Sequence, residues 1–261
     1  MIVKNFLLTV LLLVSCVSFI IAGQLYWQKK IDDTVKQAMA EAPKQEAIDE
    51  NESKLMKYAA QLPSEVQNKI KNAIHTNHPV RLVIVGSQAI SSSEKSWPAL
   101  FKNELESTYG KQVFEVVVKE YGDMTTKEAL EANVDKEIID AKPDILLWEP
   151  FLLNNNGVIE IEDTLQQIDT IIQNIQSALP DVTVMLQPPH PIYNATYYPI
   201  QVEELKTFAK EKGYTYLDHW KAWPDYKSEE LNDVVNENTD LPNERGHQLW
   251  ADFLIDYFIA K

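Results

Sequence analysis

Side chains that could act as a nucleophile or bind a ligand follow the apolar runs of this chain. The clearest example is Ser87, which comes with Gln88 directly after Gly86 and the apolar run Leu82–Val85. Open α/β sheets bind ligands at the carboxyl ends of their strands, so a hydroxyl there has the placement required of a nucleophile. Four further segments of this kind are Tyr121–Asp123, Glu149–Asn156, Gln187–Pro191 and Asp218–Trp220, and one more polar segment, Asn238–Asn243, precedes the last predicted helix.

Apolar β-rich runs that alternate with amphipathic segments would position these residues. The predicted strands are Leu82–Val85, Val113–Val118, Ile145–Trp148, Val182–Leu186 and Tyr214–Leu217. The predicted helices are Trp97–Tyr109, Thr125–Ala141, Ile161–Leu179, Ile200–Lys212 and Glu244–Ile259. This alternation indicates a mostly parallel sheet covered on both faces. We therefore expect a three-layer α/β/α domain with five strands over residues 79–261.

Composition restricts the function classes. A hydrophobic content of 45% with 10% aromatic residues is typical of a packed globular domain. The formal net charge of −15 argues against nucleic acid as a partner, because phosphate binding requires concentrated lysine and arginine. The five histidines are scattered without a metal-ligand spacing, and there is no glycine-rich phosphate loop. The sequence therefore predicts no metal and no cofactor.

The N-terminal segment Phe6–Gly23 carries no charge and is just long enough to cross a bilayer as a helix. Tyr26 and Trp27 follow it as interfacial anchors. We expect residues 1–27 to be a single-pass membrane anchor with the following domain on the extracytoplasmic side. Lipoprotein processing at Cys16 and a cleaved signal peptide are the alternatives, of which the first is disfavoured because the apolar run continues past Cys16.

Residues 28–78 are polar, charged and helix-prone. Within them Leu55, Tyr58, Leu62 and Val66 recur at three- and four-residue steps, which indicates an amphipathic helix. We interpret this region as a helical stalk that separates the domain from the membrane, with part of its second half able to pack on the domain.

The order of the polar segments resembles that of the SGNH hydrolases, also called the GDSL family. Those enzymes have a Gly-Asp-Ser block after the first strand, a glycine after the second, an asparagine after the third, and an Asp-x-x-His-Pro-Asn block before the last helix. The resemblance covers about residue 80 to the C-terminus. It implies a flavodoxin-like fold in which serine attacks an ester carbonyl, histidine is the base, and aspartate orients the histidine.

Carried over residue by residue, the match is partial. Gly122 in Tyr-Gly-Asp-Met and Asn154 in Leu-Leu-Asn-Asn-Asn are similar to the family's oxyanion-binding glycine and asparagine. Asn243 matches the N-cap of the final helix. The nucleophile side departs, because Ser87 falls at the aspartate position and Gln88 at the nucleophile position.

The base also departs from the pattern, since Leu241 stands where the catalytic histidine is expected and Asn238 where its aspartate is expected. Leucine cannot accept a proton. One alternative is a shifted turn that makes Ser87 the nucleophile, with His190 or His219 as base and Asp218 orienting His219. The structural alternative is that Ser87 caps the turn and the histidines only pack.

Two other possibilities remain open. One of Ser91, Ser92 and Ser93 could be the nucleophile, although such a run is typical of a solvated loop. The site could also bind without catalysis, through a pocket of amides and aromatic rings that contact sugar hydroxyls and sugar faces. The amides are Gln88, Asn154, Asn155 and Asn156, and the aromatic residues are Tyr193, Tyr197, Tyr198, Trp220 and Trp223.

The resemblance thus implies hydrolysis or transfer of an ester or acetyl group, and the expected membrane anchor makes cell-envelope glycan or lipid outside the membrane the expected substrate. The competing hypothesis is a degenerate family member that binds envelope carbohydrate and performs no chemistry. The third hypothesis is a membrane-tethered scaffold that uses its stalk for partner contacts.

Overall fold

A computed structural model describes residues 18–19, 22–36, 48–91 and 93–261. The chain divides into two units, residues 1–51 and Glu52–Lys261. In the first unit, residues 22–36 are helical and exposed. The predicted membrane segment Phe6–Gly23 lies mostly outside the described residues. Within the described ranges, no helix combines the length and the apolar character needed to cross a bilayer.

The second unit is built on a five-stranded sheet in which every neighbouring pair is parallel. Its spatial order is β2-β1-β3-β4-β5. The strands are β1 Val80–Gly86, β2 Phe114–Glu120, β3 Ile145–Trp148, β4 Thr183–Leu186 and β5 Thr215–Tyr216. All five predicted strands are confirmed, and because they are parallel their carboxyl ends share one edge.

The helices of this unit include α1 Ser64–Thr76, α2 Trp97–Tyr109, α3 Thr126–Glu131, α4 Val134–Asp140, α5 Leu152–Asn155, α6 Ile161–Ala178, α7 Tyr198–Lys212 and α8 Glu244–Phe258. The predicted helix Thr125–Ala141 is split into α3 and α4, because Asn133 adopts a left-handed conformation with φ of 58°. A side-chain capping box at Thr125 and Glu128 starts α3.

Side-chain alternation along β1 divides the core into two layers. Leu82 and Ile84 face a cluster that contains side chains of α1, α2 and α8. Val83 and Val85 face the opposite cluster, which contains side chains of α3, α4, α6 and α7. Successive strand residues point to opposite faces, so an almost continuously apolar β1 is what a sheet buried on both sides requires. The predicted three-layer α/β/α architecture is confirmed for this unit.

Residues 52–78, which the sequence assigns to the stalk, pack on the α/β core. Leu55, Leu62, Val66 and Ile70 are buried in the same cluster as α2 and α8. The carboxylate of Glu52 also forms an ion pair with Lys71, with 2.8 Å between Oε1 and Nζ. The three- and four-residue spacing that predicts an amphipathic helix therefore reflects contact with the domain, and the compact unit begins at Glu52.

The strand β2 forms one open edge of the sheet. Its sequence includes three consecutive valines, Val116–Val118. The Nζ of Lys102, on α2, donates a hydrogen bond of 3.1 Å to the carbonyl oxygen of Val116. Part of this edge is thereby occupied by a charged side chain from within the same domain.

Candidate active site

The loops after β1, β2 and β3 meet at the carboxyl edge of the sheet. The backbone N–H of Gln88 donates to the carbonyl oxygen of Gly122 at 2.8 Å. The side-chain amide of Asn154 donates to the same oxygen at 3.3 Å and to the carbonyl oxygen of Met124 at 2.8 Å. The structure therefore brings Gln88, Gly122 and Asn154 together, next to Ser87.

These contacts determine what the amide donors can do. In a hydrolase of this type, an amide N–H and an asparagine side chain would face the oxygen that becomes negatively charged in the transition state. Here both donors point at the Gly122 carbonyl oxygen, which a φ of 60° at Gly122 helps to place. In this conformation both donors are therefore engaged by carbonyl oxygens of the chain itself.

Ser87 is held by a carboxylate rather than by an imidazole. Its hydroxyl donates to Oε2 of Glu149 at 2.6 Å, and its backbone N–H donates to the same oxygen at 2.8 Å. The hydroxyl oxygen also accepts a 3.3 Å bond from the N–H of Ala89, which caps a short 3-10 turn. Ser87 is only 2% exposed. Ser87 thus caps the turn, as the structural alternative predicts, and also contacts Glu149, which the sequence does not predict.

Glu149 is the central group of this arrangement. It follows β3 directly, is fully buried, and also accepts a 2.9 Å bond from the N–H of Phe151 through Oε1. Burial raises the pKa of the Glu149 carboxyl to about 7, against the opposing effect of the hydrogen bonds from Ser87 and Phe151. The carboxyl group therefore ties the β1 loop to the β3 loop and changes charge near neutral pH.

Gln88, at the nucleophile position of the family pattern, has an exposed side chain. An amide is not an acyl nucleophile, so the exposed Gln88 side chain can form a hydrogen bond with a ligand but cannot attack an ester. In the neighbouring serine run, Ser91 Oγ accepts a 3.2 Å bond from the N–H of Ser93 and stabilises the turn locally. Ser92 lies outside the described residues.

His219 is fully buried and engaged on both ring nitrogens. Its Nε2 donates to the carbonyl oxygen of Pro188 at 2.8 Å, and its Nδ1 accepts a 3.0 Å bond from the indole of Trp223. The ring stacks on Trp250 with 4.0 Å between centroids. Burial lowers the pKa of His219 to about 3. The structure places this histidine in the core, between two tryptophans.

His190 is also fully buried, and its Nε2 donates to the carbonyl oxygen of Asp240 at 2.8 Å. Burial lowers its pKa to about 4. Its Nδ1 is buried without a hydrogen-bond partner among the described residues. Within the same residues, neither the His190 ring nor the His219 ring is hydrogen-bonded to Ser87.

Asp218 forms ion pairs instead of orienting a histidine. Its Oδ2 lies 3.3 Å from Nζ of Lys206 and 3.5 Å from Nζ of Lys221. The Nδ1 atom of the adjacent His219 is already bonded to Trp223. Asp218 itself lines a cavity beside β5, at the outer edge of the sheet. Asp218 is therefore not part of a serine–histidine–aspartate chain in this conformation.

The residues considered for ligand binding divide into buried and exposed groups. Asn155 is buried and bonded to Thr126 and Thr164, and Tyr198 and Trp223 are also buried. Tyr197 and Tyr193 are 74% and 38% exposed in the loop that follows β4. The exposed aromatic surface near this edge is thus smaller than the sequence suggests and consists mainly of these two rings.

The contact between Glu149 and Ser87 is not among the contacts that the sequence pattern predicts, although the sequence contains a signal for it. Glu149 is the first residue after four buried apolar residues, Ile145–Trp148. A carboxylate in that position must find hydrogen-bond donors, because an unpaired buried charge is too costly. The described residues contain no cluster of three or more histidine, cysteine or acidic side chains placed to hold a metal ion.

The buried titratable groups predict how stability depends on pH. His190, His219 and His247 have pKa values lowered by burial to about 4, 3 and 4. The unfolded chain therefore binds more protons than the folded chain below the ordinary histidine pKa of about 6.5, and stability falls with falling pH. Glu149 acts in the opposite direction, because its raised pKa makes the folded chain bind the extra proton between about 4.5 and about 7.

We expect the three histidines to outweigh the one carboxyl, so that the free energy of unfolding rises from pH 5 to pH 6.5. In Glu149→Gln the opposing contribution is absent, and the rise should be steeper than in the wild type. Urea unfolding at pH 5, 5.5, 6 and 6.5 measures both slopes. A variant slope equal to or shallower than that of the wild type would contradict the raised pKa of Glu149.

Comparison with solved structures gives a consistent fold. Similar structures include a carbohydrate esterase of family 3 from Talaromyces cellulolyticus (TM-score 0.58, 13% identity, 67% of this chain and 94% of that one). Others are a GDSL-like lipase from Bacteroides thetaiotaomicron (0.53, 13%, 72% and 96%) and the psychrotrophic esterase EstA from Pseudoalteromonas sp. (0.53, 14%, 68% and 96%).

No protein-family model matches the sequence, and no curated protein matches it. Each of these three structures is covered almost completely, whereas about a third of this chain lies outside the match. At 13–14% identity such likeness concerns the fold and not the reaction. The resemblance to the SGNH hydrolases is confirmed at this level: the α/β domain of this chain has the fold of the GDSL-type hydrolases.

Proposed function

We propose that this chain is a GDSL-fold domain that binds ester-bearing glycan of the cell envelope and does not hydrolyse it by the usual serine–histidine route. One observation carries the proposal. The exposed residue at the nucleophile position is Gln88, while the nearby hydroxyl, Ser87, is buried against Glu149. Acyl transfer needs an accessible nucleophile beside a base. In the described site, neither His190 nor His219 is hydrogen-bonded to Ser87 as such a base would be.

The surface near the carboxyl edge supports a carbohydrate ligand. Tyr193 and Tyr197 expose aromatic rings, and Gln88 exposes an amide. Aromatic faces and amide groups suit the apolar faces and hydroxyls of sugars. The esterase and lipase neighbours make an acylated glycan the favoured class, since the same fold accommodates ester groups in proteins of those names.

The cellular placement belongs to the same proposal. The uncharged segment Phe6–Gly23, with Lys4 before it and Trp27 after it, favours a single-pass anchor with the α/β domain on the extracytoplasmic side. In that arrangement, residues 28–51 connect the anchor to the compact unit, and envelope polymers are the accessible ligands. A lipid anchor on Cys16 would leave the domain on the same side.

A specific observation also supports a second candidate, ester hydrolysis by Ser87 with Glu149 as general base. The distance of 2.6 Å between Ser87 Oγ and Glu149 Oε2 is within the reach of proton transfer, and a carboxyl pKa of about 7 suits a base at neutral pH. It ranks second because an ester carbonyl would have to reach a serine that is 2% exposed.

Assays with p-nitrophenyl acetate and with O-acetylated peptidoglycan fragments separate the two candidates. We expect no turnover by the wild type, saturable binding of the acetylated fragments, and loss of that binding in the Tyr193→Ala/Tyr197→Ala double variant. Ser87→Ala should bind like the wild type. Deacetylated fragments are the matched ligand control.

Turnover by the wild type that is abolished in both Ser87→Ala and Glu149→Gln would instead establish the second candidate. Turnover that survives Ser87→Ala would contradict both. Failure of every glycan fragment to bind, without turnover, would contradict the binding proposal.

A further inference from the structure

A cavity of about 600 Å³ lies against β5, the open edge of the sheet opposite β2. It runs from Gly213 beside the C-terminal end of α7 to Lys221 after β5. Its lining residues are Glu203, Lys206, Thr207, Lys210, Gly213, Tyr214, Thr215, Tyr216, Asp218 and Lys221. It includes Asp218 but none of Ser87, Gln88, Gly122 and Asn154, so it is distinct from the candidate active site.

The charge of this cavity differs from that of the chain. Three lysines line it against two carboxylates, in a protein whose formal net charge is −15. In each of four other cavities described for this chain, acidic side chains outnumber lysine and arginine. One of them, at the amino ends of the strands, has a volume of about 690 Å³ and contains Glu65, Asp144 and Asp181 against Lys69. Positive charge is therefore concentrated locally at β5.

The ion pairs in the cavity leave positive charge unused. Asp218 is shared by Lys206 and Lys221, at 3.3 and 3.5 Å, and Glu203 lies 3.2 Å from Lys206. Lys210 lines the cavity without an ion-pair partner among the described residues. The Lys221 side chain is 73% exposed, so its ammonium group can turn toward a ligand. Among these residues Lys210 is thus unpaired, and Lys221 is held only by a 3.5 Å contact with Asp218 that an anion would have to replace.

A buried hydroxyl adds a hydrogen-bond donor. Tyr216 is one of the lining residues, and its hydroxyl is shielded from solvent and has no hydrogen-bond partner among the described residues. Burial and the charges of Asp218 and Glu203 raise the pKa of Tyr216 far above its ordinary value, so the hydroxyl keeps its proton. Buried polar groups in folded proteins nearly always have a partner. An acceptor oxygen supplied by a ligand would satisfy this donor.

From this juxtaposition we infer that the β5 cavity is a binding site for a phosphate group, held by Lys210 and Lys221 with the Tyr216 hydroxyl as an additional donor. Phosphate is preferred to a carboxylate because its higher charge and additional oxygens match several donors at once. An extended peptide that adds a strand is disfavoured, because β5 contributes only two residues to the sheet ladder. Tyr214 also lines the cavity, so a sugar phosphate is a second source of the same phosphate chemistry.

This site does not depend on the proposed glycan function, and its test is separate. Calorimetric titration of the full-length chain with inorganic phosphate, at constant ionic strength maintained with sodium chloride, should show saturable binding. Glucose 1-phosphate, titrated in the same way, distinguishes a sugar phosphate from the free ion by its relative affinity. The Lys210→Gln/Lys221→Gln variant should bind at least about tenfold more weakly, because charge-assisted hydrogen bonds are lost.

Lys111→Gln is the matched control, since Lys111 is 85% exposed and lies before β2 at the other side of the sheet. It should bind phosphate like the wild type. Tyr216→Phe should weaken binding while its urea stability stays equal to or above that of the wild type, because the deleted hydroxyl has no partner to lose. Lys206 is left unchanged because it pairs with Glu203 and Asp218.

Three outcomes of the phosphate titrations would overturn the inference. They are the absence of saturable binding, an equal loss of affinity in Lys111→Gln and in the double variant, and unchanged affinity in the double variant when its urea midpoint equals that of the wild type. Binding of a neutral extended peptide that phosphate fails to displace would also contradict it, and would assign the edge to strand addition.

Discussion

Replacing Glu149 with alanine is expected to lower the free energy of unfolding by about 3 kcal/mol, the lower end of the sum for three buried donors that each cost roughly 1–3 kcal/mol when left unsatisfied. The substitution removes the acceptor of the Ser87 N–H, the Ser87 hydroxyl and the Phe151 N–H in one step. All three donors are buried at the junction of two loops, and water would have to enter a fully buried site to replace the carboxylate. Urea unfolding of the purified chain at pH 7 measures the loss.

Glu149→Gln serves as the matched control for this prediction. The amide oxygen can keep the bonds from Ser87, but the amide N–H₂ meets the N–H of Phe151 and leaves that donor without an acceptor. We therefore expect a loss of about 1 kcal/mol for this variant. Equal losses in the alanine and glutamine variants, or no loss in either, would show that Glu149 does not hold the two loops together.

Replacing Gly246 with alanine is expected to lower the free energy of unfolding by roughly 3 kcal/mol, as much as Glu149→Ala. This value is the upper part of the range for overpacking a protein core. An added Cβ would contact the backbone carbonyl oxygen of Val234, and it would approach the ring of Trp223 to 2.9 Å. A backbone oxygen cannot rotate away as a side chain can. The N-terminal turn of α8 would therefore have to move from the loop against which it packs.

Gln248→Ala, two residues further along α8 at an exposed position, should change the free energy of unfolding by less than about 0.5 kcal/mol. Comparison of urea midpoints for Gly246→Ala and Gln248→Ala separates the steric effect from a general effect of substitution in this helix. A Gly246→Ala midpoint equal to that of Gln248→Ala would contradict the close packing of α8 on the Val234 loop.

The architecture of the α/β domain could be predicted because its signals are local. Continuous apolar runs bounded by polar residues identify strands such as Ile145–Trp148, and amphipathic segments identify helices such as Ile161–Ala178. The split between α3 and α4 was not predictable in this way, since nothing in the periodicity marks Asn133 as left-handed. The packing of residues 52–78 also depends on long-range contacts that periodicity does not specify.

The candidate site was predictable in location but not in connectivity. Parallel strands place Ser87, Gly122 and Asn154 at one edge regardless of their partners. The partner of each polar group depends on side-chain directions, which a sequence pattern does not contain. Thus the Ser87 hydroxyl donates to Glu149, and both ring nitrogens of His219 are hydrogen-bonded to Pro188 and Trp223 inside the core. The catalytic assignments of Ser87, His190 and His219 remain predictions.

The hydrogen bond from Lys102 to Val116 bears on how copies of this protein behave at high concentration. Three successive valines in an outermost strand form a segment that other chains could extend into a fibril-like stack. A charged amine anchored on that strand opposes such stacking, since a second backbone would have to displace it and bury its charge. We expect acetylation of Lys102, which removes its charge, to weaken this barrier without changing any hydrogen bond of the candidate site.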